Sequence, residues 1–214
     1  MTKSRAGKKA GGKRTYNQSL RAETALETRQ RILEVTRDGY ARLPIENAGL
    51  EEVAKRAKVA RSTIYKIFGS RQGLMVALAE DLLRRVGFDQ LGRAFRNPDV
   101  RVALETSLRE AARLYAEEHL VARAIILLGA LDPDVALAAA RFEYGRKEGM
   151  ADLARRLNAQ GCLRPDTTEA EAADMLWVVT SFNTFTQLYL ERGLSVDECA
   201  ARLIAMAMRC VGRE

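Results

Sequence analysis

Histidine is nearly missing from this sequence. His119 is alone among 214 residues, with no cysteine near it, so a histidine-based metal site is not expected. Cysteine is scarce and odd in number. Cys162, Cys199 and Cys210 are widely spaced and form no CxxC pair, which argues against a disulfide framework and for a reduced, cytoplasmic setting. Long apolar runs are missing too. Stretches such as 124–131 fall far short of the ~20 residues of a membrane helix, and the charged N-terminus carries no apolar run that would read as a signal peptide. There is no glycine-rich phosphate loop, nucleophile elbow or pair of metal-binding histidines, so neither an enzyme nor a cofactor is expected. Strand-like alternation is also absent, which leaves an all-α chain.

Acidic residues are missing from one region in particular. Residues 1–21 carry Lys3, Arg5, Lys8, Lys9, Lys13, Arg14 and Arg21 and no acid, while the other 28 basic residues equal all 28 acidic ones. The whole net charge of +7 therefore sits in this arm. With little apolar surface to bury, the arm reads as disordered. A basic front and a near-neutral rear suggest nucleic acid as the partner at one end only.

The most informative stretch is 50–74, LEEVAKRAKVARSTIYKIFGSRQGL. Between Lys55 and Arg71 it has six basic residues and no acid. Leu50, Val53, Ala54 and Ala57 fall at helical spacing, as do Ile64 and Phe68, with Lys58-Val59-Ala60 between them. Two short helices, a tight turn and a basic face form the layout of a helix-turn-helix. The candidate DNA face is Arg61, Ser62, Thr63, Tyr65 and Lys66, with Lys55 on the preceding helix and Arg71 at the start of the next. Long basic and hydroxyl side chains can reach base edges, and a tyrosine suits a phosphate.

This segment resembles the DNA-binding domain of the TetR family of bacterial transcriptional regulators. The resemblance covers roughly residues 24–82. It rests on a long first helix, on the Thr63-Ile64-Tyr65 segment, and on the Phe68-Gly69-Ser70-Arg71 junction that opens helix four. There are departures. Pro44 and Lys58 stand where the family often has glycine, and Gly49 where a Ser or Thr usually caps helix two. The resemblance implies a homodimer that reads a palindromic double-stranded DNA operator. It also implies a small-molecule effector held in the C-terminal domain, the last two helices forming the dimer interface and the protein most often acting as a repressor. The alternative is an effector-independent architectural DNA binder.

The rest of the chain predicts about nine helices, arranged as an N-terminal three-helix DNA-binding domain and a larger C-terminal bundle. The boundaries fall at 1–21 for the arm, 22–70 for the helix-turn-helix domain and 71–214 for the effector and dimerisation domain. A capping box at Thr24 and Glu27 is expected to open helix one, whose inward stripe is Leu26, Ile32, Leu33, Thr36, Tyr40 and Leu43, and Pro44 to end it. Ser70 caps helix four, whose apolar side runs to Val86. Asn97-Pro98 starts a helix, a separate one follows around Val121 to Leu128, and Asp132-Pro133 caps another. Further capping boxes at Thr168/Glu171 and Ser195/Glu198 open the last two helices, predicted over 168–190 and 195–211.

Those two helices are apolar all round, through Trp177, Val178, Val179, Leu203, Ile204, Met206 and Met208. Burial on two sides, by the subunit's own core and by a partner, would explain this. Polar groups are scattered among them. Trp177, Thr180, Asn183, Thr184 and Gln187 are candidates for lining an effector pocket, or for hydrogen bonds across a subunit interface.

The arm generates a prediction of its own. If two or three of its charges per subunit neutralise phosphates, a dimer gains ~4–5 units of log–log salt slope. Deleting residues 2–18 is expected to flatten the slope by that amount and to weaken specific and non-specific binding together. An unchanged slope on the same duplex would mark the arm as inert.

Overall fold

Helix α1 runs over Gly11–Arg42, starting well before the predicted box at Thr24. In this computed structural model the backbone is described for residues 11–42, 49–85 and 90–213. Part of the arm expected to be disordered is therefore helical from Gly11. No proline interrupts it, and Lys, Arg, Gln, Leu and Ala are good helix formers. Thr24 is an interior residue, and its carbonyl accepts from the Thr28 hydroxyl at 2.8 Å. The charges of residues 1–10, the predicted stop at Leu43-Pro44 and the end of helix four at Val86 lie outside the described residues. Ile32, Leu33, Thr36 and Tyr40 are buried as the stripe requires, but Leu26 is 68% exposed. It sits six residues, ~9 Å of helix, ahead of Ile32, where the stripe begins.

Helix α2 (Leu50–Arg56) buries Leu50, Val53 and Ala54, and α3 (Arg61–Phe68) buries Ile64. Phe68 is half-buried, with the Arg29 guanidinium 5.5 Å from its ring centre. The turn between α2 and α3 is a Schellman motif. Val59 N–H donates to the Ala54 carbonyl at 3.0 Å and Lys58 N–H to the Lys55 carbonyl at 3.2 Å. The residue between them is left-handed, with φ 54 at Lys58. Arg31 Nε closes the same end by donating to the Ala57 carbonyl at 3.0 Å. Gly69 ends α3 at φ 77, and the Ser70 hydroxyl accepts from Gly73 N–H at 2.9 Å to open α4 (Arg71–Arg85). Gly73 must be glycine, because a Cβ there would stand 2.0 Å from the Phe68 carbonyl oxygen.

The chain divides into two compact units, Met1–Leu74 and Met75–Glu214, with the boundary inside α4. In the second unit α5 spans Gln90–Phe95, α6 Val100–Gly129 and α7 Pro133–Ala159. There follow α8 (Glu169–Val179), α9 (Phe182–Thr186), a π-helical turn over Gln187–Glu191, and α10 (Val196–Val211). Helix α6 packs against α5, α7 and α10, and α8 against α7 and α10. Their shared core includes Leu104, Leu108, Leu153, Leu157, Leu176, Phe185 and Leu203. Among the described residues there is no strand, only an isolated bridge between Leu163 and Gly212. No helix among them is long and apolar enough to cross a membrane.

Three expectations are corrected here. Asp99, not Asn97, caps α6: its Oδ1 accepts from Arg101 and Val102 N–H, while Asn97 Oδ1 accepts from Asp99 N–H. The two helices expected over 98–128 are one, since no proline or glycine interrupts 100–128 and Val121, Ala124 and Ile125 continue the buried stripe. The helix expected over 168–190 breaks at Thr180-Ser181, where the Ser181 hydroxyl caps α9 by accepting from Thr184 N–H. The Asp132 cap with Pro133 at the first turn and the boxes at Thr168 and Ser195 all form.

Lys58 supplies a stability prediction. A left-handed non-glycine residue costs roughly 1–2 kcal/mol, and glycine's extra freedom in the unfolded chain takes back ~0.5–1 of that gain. Lys58→Gly is expected to stabilise the protein by about 0.5–1 kcal/mol in thermal or urea unfolding. A lower midpoint would contradict the account.

Candidate DNA-binding face and ligand cavity

Helix α3 is amphipathic over two turns. Ile64 is fully buried, which turns Arg61, Ser62, Tyr65 and Lys66 outward, and all four are exposed. Thr63 is half-buried. Lys55, in the last turn of α2, and Arg71, the first residue of α4, are exposed. Arg61 and Tyr65 are one turn apart and hold each other. The Arg61 Nη2 donates to the Tyr65 hydroxyl at 3.2 Å, with the guanidinium 5.6 Å from the ring centre. That hydrogen bond, followed by Tyr65's charge interaction and the nearby Glu51, raises the Arg61 guanidinium further above its already high range, so it is always charged. Glu51 Oε2 lies 3.5 Å from Arg61, both side chains being exposed. Such a pair contributes little and exchanges readily for a phosphate. Glu51 was not singled out from sequence. It lies ten residues from Arg61, and only the α2–α3 turn brings the two together.

The second unit contains a cavity of about 400 Å³. Its walls are mainly apolar, from Phe95 of α5, Leu108 and Leu114 of α6, and Phe142 and Met150 of α7. At one side Tyr115 is enclosed. Its hydroxyl donates to the Thr180 carbonyl at 3.4 Å, and its ring meets Phe182 edge-on at 5.4 Å. Burial pushes its phenol up from near 10 to about 12.

Arg146 forms the polar wall. Its Nη1 donates to the Trp177 carbonyl at 2.6 Å and the Thr180 hydroxyl at 3.1 Å. Nε and Nη2 donate to the two Glu143 oxygens at 3.3 and 2.8 Å. Glu143 also accepts from Trp177 Nε1 at 3.0 Å. Burial pushes the Glu143 carboxyl up, but Arg146's hydrogen bond and charge, Trp177's hydrogen bond and the charge of Lys147 outweigh it and leave it below the usual carboxylate range.

Of the predicted pocket residues only Thr180 lines this cavity. Trp177 lies behind Arg146, flanked by that guanidinium at 5.4 Å and the Lys147 ammonium at 4.5 Å. The Thr184 hydroxyl donates to the Val178 carbonyl at 2.9 Å, and Asn183 and Gln187 are exposed. The break at Thr180-Ser181 and the π turn change the register on which their placement relied. Phe95, Tyr115, Phe142 and Arg146 were missed. The available signal was Gly145 and Gly149, one turn apart inside a long helix, where each glycine costs ~1 kcal/mol relative to alanine and so points to a close approach or an open space. A Cβ on Gly149 would stand 3.4 Å from the Phe95 ring, and one on Gly145 would meet nothing within 4 Å.

Tyr115 makes the enclosure measurable. Below pH 10 its folded and unfolded forms are both neutral. Above it the unfolded chain loses the proton first, so stability falls as pH rises from 10 towards about 12. Tyr115→Phe is expected to remove roughly 2–3 kcal/mol of that alkaline loss, read by urea unfolding at paired pH values. Equal alkaline loss in both proteins would show a solvated phenol.

Residues 32–78 match the model of the bacterial regulatory proteins, tetR family. No curated protein matches the sequence. Among solved structures the chain is similar to one described as a transcriptional regulator of Saccharomonospora viridis in complex with choline. The TM-score is 0.73 and the identity 21%, over 88% of this chain and 99% of that one. It is also similar to NalD, the secondary repressor of the MexAB-OprM multidrug efflux pump in Pseudomonas aeruginosa (TM-score 0.66, 20% identity, 89% and 99% covered). A third is SmeT, the repressor of the SmeDEF multidrug efflux pump of Stenotrophomonas maltophilia (0.65, 16%, 87% and 91%). The fold is thus shared along most of each chain, and residues 32–78, which hold α2, α3 and the start of α4, are similar to the bacterial regulatory proteins of the tetR family.

Proposed function

We propose that the protein is a ligand-responsive, sequence-specific DNA-binding regulator, a homodimer that represses from a palindromic operator and is released by a small molecule. The observation that carries this is the pairing of two features. One is an exposed basic and hydroxyl face on α3; the other is a mainly apolar cavity in a separate unit.

Helix α3 enters the major groove. Arg61, Ser62 and Lys66 read base edges, Thr63 lies at the margin, and Tyr65, Lys55 and Arg71 hold phosphates. The dimer forms through α8 and α10, whose inner rows (Leu176, Val179, Leu203, Ala207) are buried while Met175, Val178 and Met206 remain 39%, 57% and 38% exposed. A two-fold dimer places its α3 helices about one DNA turn, ~34 Å, or a multiple apart.

Release needs only that the effector prefer a dimer spacing that misfits the operator. Arg146 supports such coupling, because it faces the cavity and at the same time satisfies a carbonyl at the end of α8. The repressor roles of NalD and SmeT support the sign, and the choline complex supports a small ligand within this fold. The basic arm favours a second reading, an architectural DNA binder. Footprinting separates the two: discrete palindromic sites mark a regulator, and broad coverage an architectural role.

Genomic fragments selected by the protein supply the operator for the decisive measurement. Arg61→Ala and Lys66→Ala are each expected to cost about 1–3 kcal/mol with relaxed preference at one position, and Tyr65→Phe to weaken binding alike on all duplexes, all with an unchanged helical spectrum. Unchanged affinity in all three would overturn the recognition face.

A further inference from the structure

We propose that the cavity of the second unit takes an amphipathic carboxylate, with its head between Arg96 and Arg141 and its hydrocarbon tail among Phe95, Leu108 and Phe142. The proposal rests on reading the cavity as the effector site and adds the chemical class of the effector.

Among the described residues, every charged side chain lining the cavity is an arginine: Arg96, Arg141 and Arg146. None of the lining residues among those described is acidic. The three arginines are not equivalent. Only a small part of the Arg146 side chain is exposed, and its guanidinium is committed to Glu143, Trp177 and Thr180. Arg96 and Arg141 are exposed and so mark the mouth. Arg141 has only a loose ion pair with Glu80 at 3.7 Å, with 65% and 46% of the two side chains exposed. A pair of this kind contributes little and yields to a better-placed carboxylate, which an arginine can hold through two parallel hydrogen bonds.

The interior offers a tail almost nothing to hydrogen-bond. The Ser107 hydroxyl donates to the Leu104 carbonyl, the Thr180 hydroxyl to the Leu176 carbonyl, and the Tyr115 hydroxyl to the Thr180 carbonyl. A chamber of about 400 Å³ with an apolar interior and a cationic mouth therefore fits a single-chain amphiphile with one anionic head. The opposite charge has one argument in its favour. Phe95, Tyr115 and Phe142 present rings that could face a quaternary ammonium. Three arginines, with no carboxylate among the described lining residues, oppose it, and Glu143 is held by Arg146 and Trp177.

Three probes with one tail and different heads decide the matter: decanoate, decanol and decyltrimethylammonium, titrated calorimetrically into the full chain below micelle formation. Decanoate is expected to bind about tenfold or more tighter than decanol, and the ammonium not to bind. The Arg96→Ala/Arg141→Ala double variant is expected to bring decanoate down to decanol's affinity while leaving decanol unchanged. Gly145→Leu, which meets no neighbouring atom at its Cβ, is expected to block both while keeping its helical spectrum and melting temperature. Decanol or the ammonium binding as tightly as decanoate, or no binding by any probe, would overturn the carboxylate site. Operator affinity tells the two readings apart. If decanoate binds and operator affinity does not change, the effector reading fails and the carboxylate site stands. If the ammonium is the probe that releases the operator, the carboxylate site fails and the effector reading stands.

Discussion

The second unit is organised around one buried guanidinium. Only 9% of the Arg146 side chain is exposed, and desolvating a charge to that degree costs several kcal/mol unless it is paired and hydrogen-bonded. Glu143 supplies the pair through both its oxygens, and α8 supplies the rest through the Trp177 carbonyl at its negative end. The carbonyls that end a helix need partners from outside it, and here they can be followed one by one. Leu176 accepts from Thr180 N–H, Trp177 from Arg146, Val178 from Ser181 N–H and the Thr184 hydroxyl, and Thr180 from the Tyr115 hydroxyl. Helix α8 can stop at Val179 because α6, α7 and the residues that follow it share these carbonyls between them, and the chain is free to restart as α9. The cavity lies beside this arrangement, with Tyr115, Arg146 and Thr180 all in its lining.

What the sequence made legible is what is local. The caps at Asp132, Thr168 and Ser195 are contacts across two or three residues, and they form where the residue pattern puts them. The helix-turn-helix is legible for the same reason, since its apolar spacing and its turn fit within 25 residues. The misplacements are failures of competition between local signals. Asn97-Pro98 resembles a cap, but Asp99 outcompetes it by accepting from two helix N–H groups. The cavity was illegible because its polar wall joins Tyr115, Arg146 and Thr180, residues 31 or more positions apart, and no periodicity reports contacts of that kind. Asn183 and Gln187 were placed by extending one helix through a break that Arg146 and Tyr115 stabilise from other helices.

Lys58 shows how a sequence departure and a structural constraint can coexist. The Schellman motif demands a left-handed residue, and a lysine adopts it at φ 54 where glycine would do so without strain. The two hydrogen bonds of the motif and the Arg31 contact to Ala57 hold that conformation in place. The turn therefore keeps its geometry and carries one more positive charge, next to a helix whose outward face is already basic.

Magnitudes limit how a ligand in the cavity could act on α8. Couplings between sites are typically ~1–3 kcal/mol. Pulling Arg146 away from Glu143 would strand a largely desolvated guanidinium and leave the Trp177 carbonyl unpaired as well, a loss of several kcal/mol. A ligand that broke this cap would have to supply more energy than the coupling delivers. A ligand that shifts the cap as a unit faces no such penalty, because every hydrogen bond can be kept while Tyr115, Arg146 and the end of α8 move together. The outer face of α8 carries the exposed Met175 and Val178, so a small displacement of its end changes the surface available to a second subunit. The arrangement thus favours a ligand that packs against the apolar walls and leaves the Arg146 hydrogen bonds intact.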